Sequence, residues 1–392
     1  MRNLSLLKVG VAFAAAVQGL NVLITNDDGF GTANIRELYK QMTDLGHSCY
    51  LVASATFDVG SGTRLDFTNS PKMTRNGDWD LVKSGAPSIG PDPDDGHIWY
   101  YNGTPAAQVV VALDYILPTF TKVKTPDLVI SGPNSGWNVG PFLYTTSGAI
   151  GATYMAIERG IPAVAFFSGN TVPTPYFWVN ASTKAGLQDP ATITARLAST
   201  LVQALIDKAA GSRILPQGYG LTVNLPYITS YTNEQCTNPP FVLTRMGGNA
   251  EAKAVFNSKT GLFNRSRDSG SDDSHCANGN CKIPAEKDVL NSGCMSSVTV
   301  FAVDYSAPYK WECFNISDVT ALVPVIVQLN GSTPLVGGLG PNASVVGNVS
   351  LPPTPSPGST PPPMTTISSI GVRAQWSLSV LMASLGVLAF LF

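Results

Sequence analysis

The strongest constraint on the fold is an alternation of short β-type runs with amphipathic helical stretches through the first part of the chain. Val22–Thr25, Ser48–Ala53, Leu128–Ser131, Ala163–Phe167 and Gly220–Leu225 are apolar runs of strand length. Between them, Asn34–Leu45 places Ile35, Leu38, Met42 and Leu45 at helical spacing, and Gly46 stops the pattern. Thr104–Leu117 offers Thr as N-cap and Pro at the first helical position. Ser147–Arg159 is a helical stretch rich in small residues, and Thr192–Ala210 is another helix. Short strands without a polar face belong in a parallel sheet covered by helices on both sides. The expected fold is α/β, a Rossmann-like three-layer sandwich with a mostly parallel sheet. Val298–Val303 adds a strand and Val319–Leu329 a last helix.

In such sheets ligands bind beyond the carboxyl ends of the strands. The first strand ends in Asn26-Asp27-Asp28-Gly29. Two adjacent carboxylates repel each other, and no cationic residue is next to them in sequence. An external hard divalent cation would remove that repulsion. Asn, Asp and Gly are also the commonest turn residues, so the stretch alone reads equally well as a solvated turn. Two further loops follow strand ends. One carries Ser61 and Gly62. The other, Ser131–Gly140, carries Asn134 and Asn138 and leads to Ser147-Gly148 at a helix start, which suits an anion.

The chain has 392 residues, 13% of them charged, with a formal charge of −2. That balance gives no footprint for a nucleic-acid polymer as partner. Low charge with abundant Ser, Thr, Gly and Pro suits a sugar-covered surface. Excluding Asn3, sequons occur at Asn102, Asn180, Asn264, Asn315, Asn330, Asn342 and Asn348. Arg2 and Lys8 bracket an apolar stretch running on through Val17, and Val17-Gln18-Gly19 offers small residues for cleavage. Residues 1–19 are therefore expected to be a signal peptide. Six cysteines are present, Cys49, Cys236, Cys276, Cys281, Cys294 and Cys313. In an oxidising compartment most should pair, in an arrangement the sequence leaves open, while Cys49 suits a buried thiol.

Residues 20–329 are expected to form one domain, with its core at 20–225 and an irregular cysteine-bearing insertion at about 227–296. Residues 330–370 turn to Gly, Ser, Pro and sequons and read as a glycosylated stalk. Residues 371–392 end in an apolar, uncharged tail behind small residues and a short polar spacer. That is the pattern of a glycolipid-anchor signal, with a single membrane span as the alternative. The chain is thus expected to be secreted or held at the cell surface, with the membrane as partner through a C-terminal lipid anchor.

Several ordered motifs carry a resemblance. They are T-N-D-D-G at 25–29, S-G at 61–62, G-T-P at 103–105, P-D-L-V-I-S-G-P-N-S-G-W-N-V-G at 126–140, S-G at 147–148 and R-G-I-P-A-V-A at 159–165. Their order and spacing through roughly residues 20–225, with a weaker echo at 296–303, resemble the survival-protein SurE-like phosphatases and nucleotidases. The secreted, anchored form is similar to the fungal acid-phosphatase branch. The resemblance implies a phosphate monoester as substrate and a divalent metal held by Asp27, Asp28, Ser61 and Asn134. An all-oxygen donor set of that kind suits Mg²⁺ or Mn²⁺ over Zn²⁺. It further implies that Gly62, Asn138, Ser147 and Gly148 bind the phosphate, and that Asp27 and Asp28 are catalytic, with Asp27 activating water. The chain departs from the family where Ser54–Gly60 lacks basic residues and where Ala149 replaces a threonine. Region 227–296 matches the family's oligomerisation arm poorly, so a homodimer stays open.

Other readings have less support. Asp92, Asp94, Asp95 and His97 form an acidic cluster without the distal Glu of a calcium loop, and read as an exposed turn. Asp272, Asp273, His275, Cys276 and Cys281 could suggest zinc, but disulfides are the better use of cysteines behind a signal peptide. The three histidines lie outside the motifs, which disfavours phosphohistidine chemistry, and His47 reads as a surface residue. Trp137 suits the substrate mouth or the core equally. A haloacid-dehalogenase phosphatase needs an aspartate two residues beyond its nucleophile, which the adjacent Asp27 and Asp28 do not supply. The alternative of another class is a glycosylated adhesion protein on an inactive fold of this type. It gives no reason for polar loops at three strand ends.

Overall fold

A computed structural model describes residues 19–57, 60–180, 188–229, 236–247, 253–266 and 283–304. The expected signal peptide up to residue 18, the helix at 319–329, the stalk and the tail lie outside the described residues, as do Cys276, Cys281 and Cys313. No helix among the described residues is long and apolar enough to cross a membrane.

In chain order the elements are β1 (Asn21–Thr25), α1 (Ala33–Asp44), β2 (Ser48–Ser54), β3 (Ile89–Pro91), β4 (Ile98–Tyr101), α2 (Pro105–Val111), a π-helical turn Ala112–Ile116 and α3 (Leu117–Phe120). They continue with β5 (Leu128–Ser135), α4 (Gly140–Thr146), α5 (Gly148–Glu158), β6 (Ala163–Ser168), α6 (Pro190–Ala209) and β7 (Tyr219–Asn224). The last are β8 (Phe241–Thr244), β9 (Lys253–Asn257), β10 (Leu262–Ser266), α7 (Glu286–Asn291) and β11 (Ser296–Ala302). One nine-stranded sheet has the order β3-β4-β2-β1-β5-β6-β7-β11-β8. Its pairs are parallel except β3–β4 and β7–β11. β9 and β10 form a separate antiparallel hairpin.

The expected three layers are present because strand side chains alternate faces. Val22 and Ile24 of β1 pack with Ile35, Leu38 and Met42 of α1 and with Leu197 and Val202 of α6. Leu23 points the other way, among Val109 of α2, Ile116, and Ile150 and Ala156 of α5. The small residues of α5 serve this contact: Gly151 lies so close to Gly62 that a Cβ would fall 2.0 Å from its carbonyl oxygen. α6 starts two residues earlier than its sequence pattern suggests, with Asp189 accepting from the Ala191 N–H at 2.9 Å and Pro190 at the first position. The Thr104–Leu117 helix runs on to Phe120 and widens into the π turn just ahead of Pro118, which has no N–H to donate.

Three expectations change. His47 is buried, not on the surface: its Nδ1 accepts from the Leu20 N–H at 3.1 Å and its Nε2 meets Gln203 at 3.2 Å. The acidic cluster at 92–97 is not merely an exposed turn, since Asp92 is buried in an ion pair with Arg36, and Asp95 accepts from Tyr39 at 2.7 Å. β5 extends to Ser135, four residues beyond its apolar run. Cys49 is a buried free thiol, as expected, and Cys236 is disulfide-bonded to Cys294.

Arg36 ties the fold to the loop after β1. It donates to the Phe30 carbonyl at 2.7 Å and lies over the rings of Phe30 and Tyr176, 5.4 and 4.5 Å from their centroids. Removing Asp92 would leave that guanidinium buried without its counter-ion. Asp92→Ala is expected to destabilise the protein by about 3 kcal/mol, read by urea denaturation.

Candidate active site

The strand order runs outward in opposite directions from the β1–β5 pair, through β2 on one side and β6 on the other. The carboxyl end of that pair is a switch-point crevice, where open α/β sheets bind ligands. Asp27 and Asp28 leave β1 there and are buried, 2% and 3% exposed. Asn134 and Ser135 close β5 beside them. The β5–β6 register shifts between Ser131 and Asn134. Gly132 sits at this irregularity with φ 103°, and a Cβ there would fall 2.3 Å from the Phe166 carbonyl oxygen, so only glycine fits. Beyond it, the Asn134 amide donates to Asp27 Oδ1 and, at 3.3 Å, to Asn26 Oδ1. The Ser135 N–H donates to Asp28 Oδ2 at 2.5 Å.

The other loops close on the same point. A methyl group at Gly148 would lie 2.6 Å from Ser61 Oγ and 2.9 Å from Asp27 Oδ2. The first turn of α5 thus packs directly on the acidic pair and on Ser61. Ser147 caps that helix, its Oγ accepting from the Ile150 N–H at 3.3 Å. The Ala149 amide also favours the ionised form of Asp27, so the main chain at this position serves the site although the threonine hydroxyl is missing. Gln108 braces the floor: it accepts from Thr25 Oγ1 at 3.2 Å and donates to Ser54 Oγ at 2.7 Å and to the Gly103 carbonyl at 2.9 Å. The G-T-P segment is therefore a clamp on the ends of β1 and β2.

The main chains of Gly62 and Asn138 have partners within the fold. The Gly62 N–H donates to the Thr146 carbonyl at 3.1 Å, so it joins two loops. Gly62 has φ 57°, and a Cβ would fall 2.6 Å from the Thr145 carbonyl oxygen, which is why glycine is needed. Asn138 is held by its main chain: its N–H donates to Asn224 Oδ1 at 2.8 Å, and Asn224 Nδ2 donates back to its carbonyl at 3.1 Å. Trp137 is half-buried, its indole N–H donating to the Leu225 carbonyl at 2.6 Å. Asp27, Asp28, Ser61, Asn134, Ser147 and Gly148 do converge.

Two features of the site have no local sequence signal. Glu286, the first residue of α7, is fully buried; it accepts from the Gly140 N–H at 2.9 Å and from the Tyr144 hydroxyl at 2.7 Å. It pins the start of α4, which connects the Asn134 loop to Ser147. Burial pushes its carboxyl up to about 7, against the Gly140 amide and Tyr144. The other is Asp78, whose charge opposes ionisation of Asp28.

Electrostatically the acidic pair is unfavourable. Burial, followed by the charge of Asp28, pushes Asp27 up to about 8; burial pushes Asp28 up to about 6. No ion pair among the described residues involves either one. No group of three or more His, Cys, Asp and Glu side chains among the described residues is arranged to hold a metal. A cation here would need the mixed set of two carboxylates, the Ser61 hydroxyl and the Asn134 amide. All four are buried and adjacent, and they are the oxygen donors a hard cation takes. Asn134 presents its Nδ2 to Asp27, and a half-turn of the amide exchanges Nδ2 for Oδ1.

Known proteins place this arrangement. Residues 22–253 match the family profile described as Survival protein SurE. The chain belongs to the SurE family. It is 39% identical over 292 residues to a protein named acid phosphatase from Yarrowia lipolytica, covering 73% of this chain and 80% of that one. It is 35% identical over 159 residues to a protein named 5'-nucleotidase SurE from Desulfovibrio desulfuricans, covering 39% of this chain and 53% of that one. The chain thus spans about half the length of this bacterial relative. The crystal structure of the SurE protein from Aquifex aeolicus superposes with a TM-score of 0.51 at 20% identity, covering 79% of this chain and 99% of that one. That likeness shows the fold.

The raised carboxyls make stability pH-dependent. Both bind a proton more tightly folded than at their ordinary value of 3.8. Their contribution is fully present below about pH 4 and is lost as the pH rises towards about 8. In EDTA, the melting temperature of the wild type is therefore expected to fall more steeply between about pH 5 and 8 than that of Asp27→Asn. Differential scanning fluorimetry of both proteins checks this.

Proposed function

We propose that this chain is a metal-dependent phosphomonoester hydrolase of the acid phosphatase or 5'-nucleotidase type, working outside the cytosol. The observation that carries the reading is the buried Asp27–Asp28 pair at the switch point, without an ion-pair partner among the described residues and in contact with Asn134 and the first turn of α5. The names of the fungal and bacterial relatives support the reaction class.

Asp27, Asp28, Ser61 and Asn134 would hold the ion, with Mg²⁺ or Mn²⁺ the best match to an all-oxygen set. When bound, such a cation polarises a phosphoryl oxygen and offsets the charge of the phosphate. The chain's own residues supply the remainder. Ser147 spends a lone pair on the Ile150 N–H, which leaves its hydroxyl proton to donate to a phosphate oxygen. The start of α5 adds the favourable end of a helix dipole. Asp27 accepts the proton of the attacking water at a carboxylate oxygen, and the Ala149 amide holds that carboxylate in place. Asn138 borders the phosphate from the β7 side.

The sequence supports the location through the expected signal peptide and anchor signal. Asn180 and Asn264 are exposed, as sugar attachment requires. The β9–β10 hairpin exposes Val255, Phe256, Leu262 and Phe263, each more than half accessible, and this apolar surface supports a homodimer.

The test is hydrolysis of p-nitrophenyl phosphate by the purified chain from acid to neutral pH. Turnover is expected to stop with EDTA and return with Mn²⁺ or Mg²⁺. Asp27→Asn is expected to lower kcat/KM by at least about 100-fold. Turnover that EDTA leaves untouched would remove the metal from the reading.

A further inference from the structure

Asp78 lies between β2 and β3, outside every motif quoted above. It opens a one-turn 3₁₀ helix, Asp78–Asp80, in which Trp79 and Asp80 have φ of 51° and 62°. Two successive non-glycine residues in that region are strained, and a fold keeps such strain only where its surroundings enforce it. The surroundings here are the acidic loop and the end of β2. The Asp78 N–H donates to the Ala55 carbonyl at 3.1 Å, and the Gly77 N–H to the Val82 carbonyl at 2.7 Å. Gly77 is pressed so close to Ala55 that a Cβ would fall 2.7 Å from its carbonyl oxygen. The Trp79 ring stands edge-on to Phe57, 5.7 Å between centroids. Leu81 fills the space over Gly31.

This turn aims the Asp78 carboxylate at the acidic loop. A methyl group on Gly29 would stand 3.6 Å from Asp78 Oδ2. The same oxygen is buried and has no hydrogen-bond partner. Its charge opposes that of Asp28, and burial raises its own carboxyl, against the Phe57 amide and the positive charge of Arg75. A buried acceptor turned towards another carboxylate is unfavourable unless something positive or proton-donating lies between them. Asp78 is not close enough to join Asp27 and Asp28 in a carboxylate cluster able to hold a metal. The remaining role is one step outside the ion, where a carboxylate accepts from a water on the cation and adds negative charge to the site.

We propose that Asp78 is a positioning residue of the cation site, its Oδ2 accepting a hydrogen bond from water carried by the ion at Asp27 and Asp28. The inference rests on the metal-dependent reading above, and it concerns ion affinity, so it can be read without substrate. Mn²⁺ is titrated into the full chain, and the free ion is followed by electron paramagnetic resonance. The proteins are wild type, Asp27→Asn, Asp78→Asn, Asp78→Ala and Asp80→Asn. Asp80 is the control for bulk charge: it is two residues away, its side chain is 61% exposed and it pairs with Lys83. Asp78→Asn and Asp78→Ala are expected to weaken Mn²⁺ binding by about 10-fold or more, and Asp80→Asn to leave it unchanged. In EDTA, Asp78→Asn should melt no lower than wild type, because it loses repulsion with Asp28 and keeps its shape.

Wild-type affinity in both Asp78 variants, with binding abolished in Asp27→Asn, overturns the assignment of Asp78 and leaves the metal reading standing. An equal loss in Asp80→Asn overturns it too, since the effect would then be bulk charge. Absence of Mn²⁺ binding in the wild type overturns both readings.

Discussion

The structure depends on a repulsion held in place. Asp27 and Asp28 stand side by side out of water, and no ion pair among the described residues neutralises them. What keeps them there is a frame of weaker contacts from every neighbouring element. The Ser135 amide from β5, the Asn134 side chain and the Ala149 amide from α5 each favour their ionised forms. None outweighs the burial that pushes both carboxyls up. The sheet topology sets this conflict, because the β1–β5 pair is where the strand order reverses and loops from both sides converge.

Much of the surrounding architecture serves the rigidity of that frame. Gly132, Gly62 and Gly148 permit close approaches of loop to strand, loop to loop and helix to carboxylate, respectively. Gly132 and Gly62 admit backbone, and Gly148 the side chains of Ser61 and Asp27, where a Cβ would otherwise stand. Farther out, Arg36 clamps the Phe30 carbonyl after the acidic loop, while Glu286 clamps the Gly140 amide at the start of α4. Glu286 is buried and Arg36 largely so, each with specific partners. Such groups add little net stability but leave their neighbours few alternative positions.

The layers and the parallel sheet were legible because apolar runs and helical periodicity are local signals. The converging loops were legible because each follows such a run. Other features depend on partners far away in sequence. His47 follows a helix-ending glycine and looks like a surface residue, yet it is buried between Leu20 and Gln203. Asp92 sits in a Pro- and Asp-rich turn and still forms a buried pair with Arg36, 56 residues away. Gly62 looked like a phosphate donor, but its N–H is used by Thr146, a contact visible only once α4 and α5 are in place. Glu286 lies beyond the cysteine-bearing stretch and acts on a loop 146 residues earlier. No period or motif encodes such a distance.

Asp78 carries the same lesson further. Its stretch, N-G-D-W-D, resembles any polar turn, and the strain that marks it appears only in the dihedral angles of Trp79 and Asp80. A strained turn that only closed a loop would relax through its own side chains. This one has its main chain tied to Ala55, its Leu81 side chain packed over Gly31 and its Asp78 carboxylate beside Gly29, so the turn itself is fixed against the acidic loop. The chain thus places a third negative group beside two that already repel. On the proposed reading, a divalent cation at Asp27 and Asp28 would offset that charge at one point and carry the polarised water from which the orphan oxygen accepts.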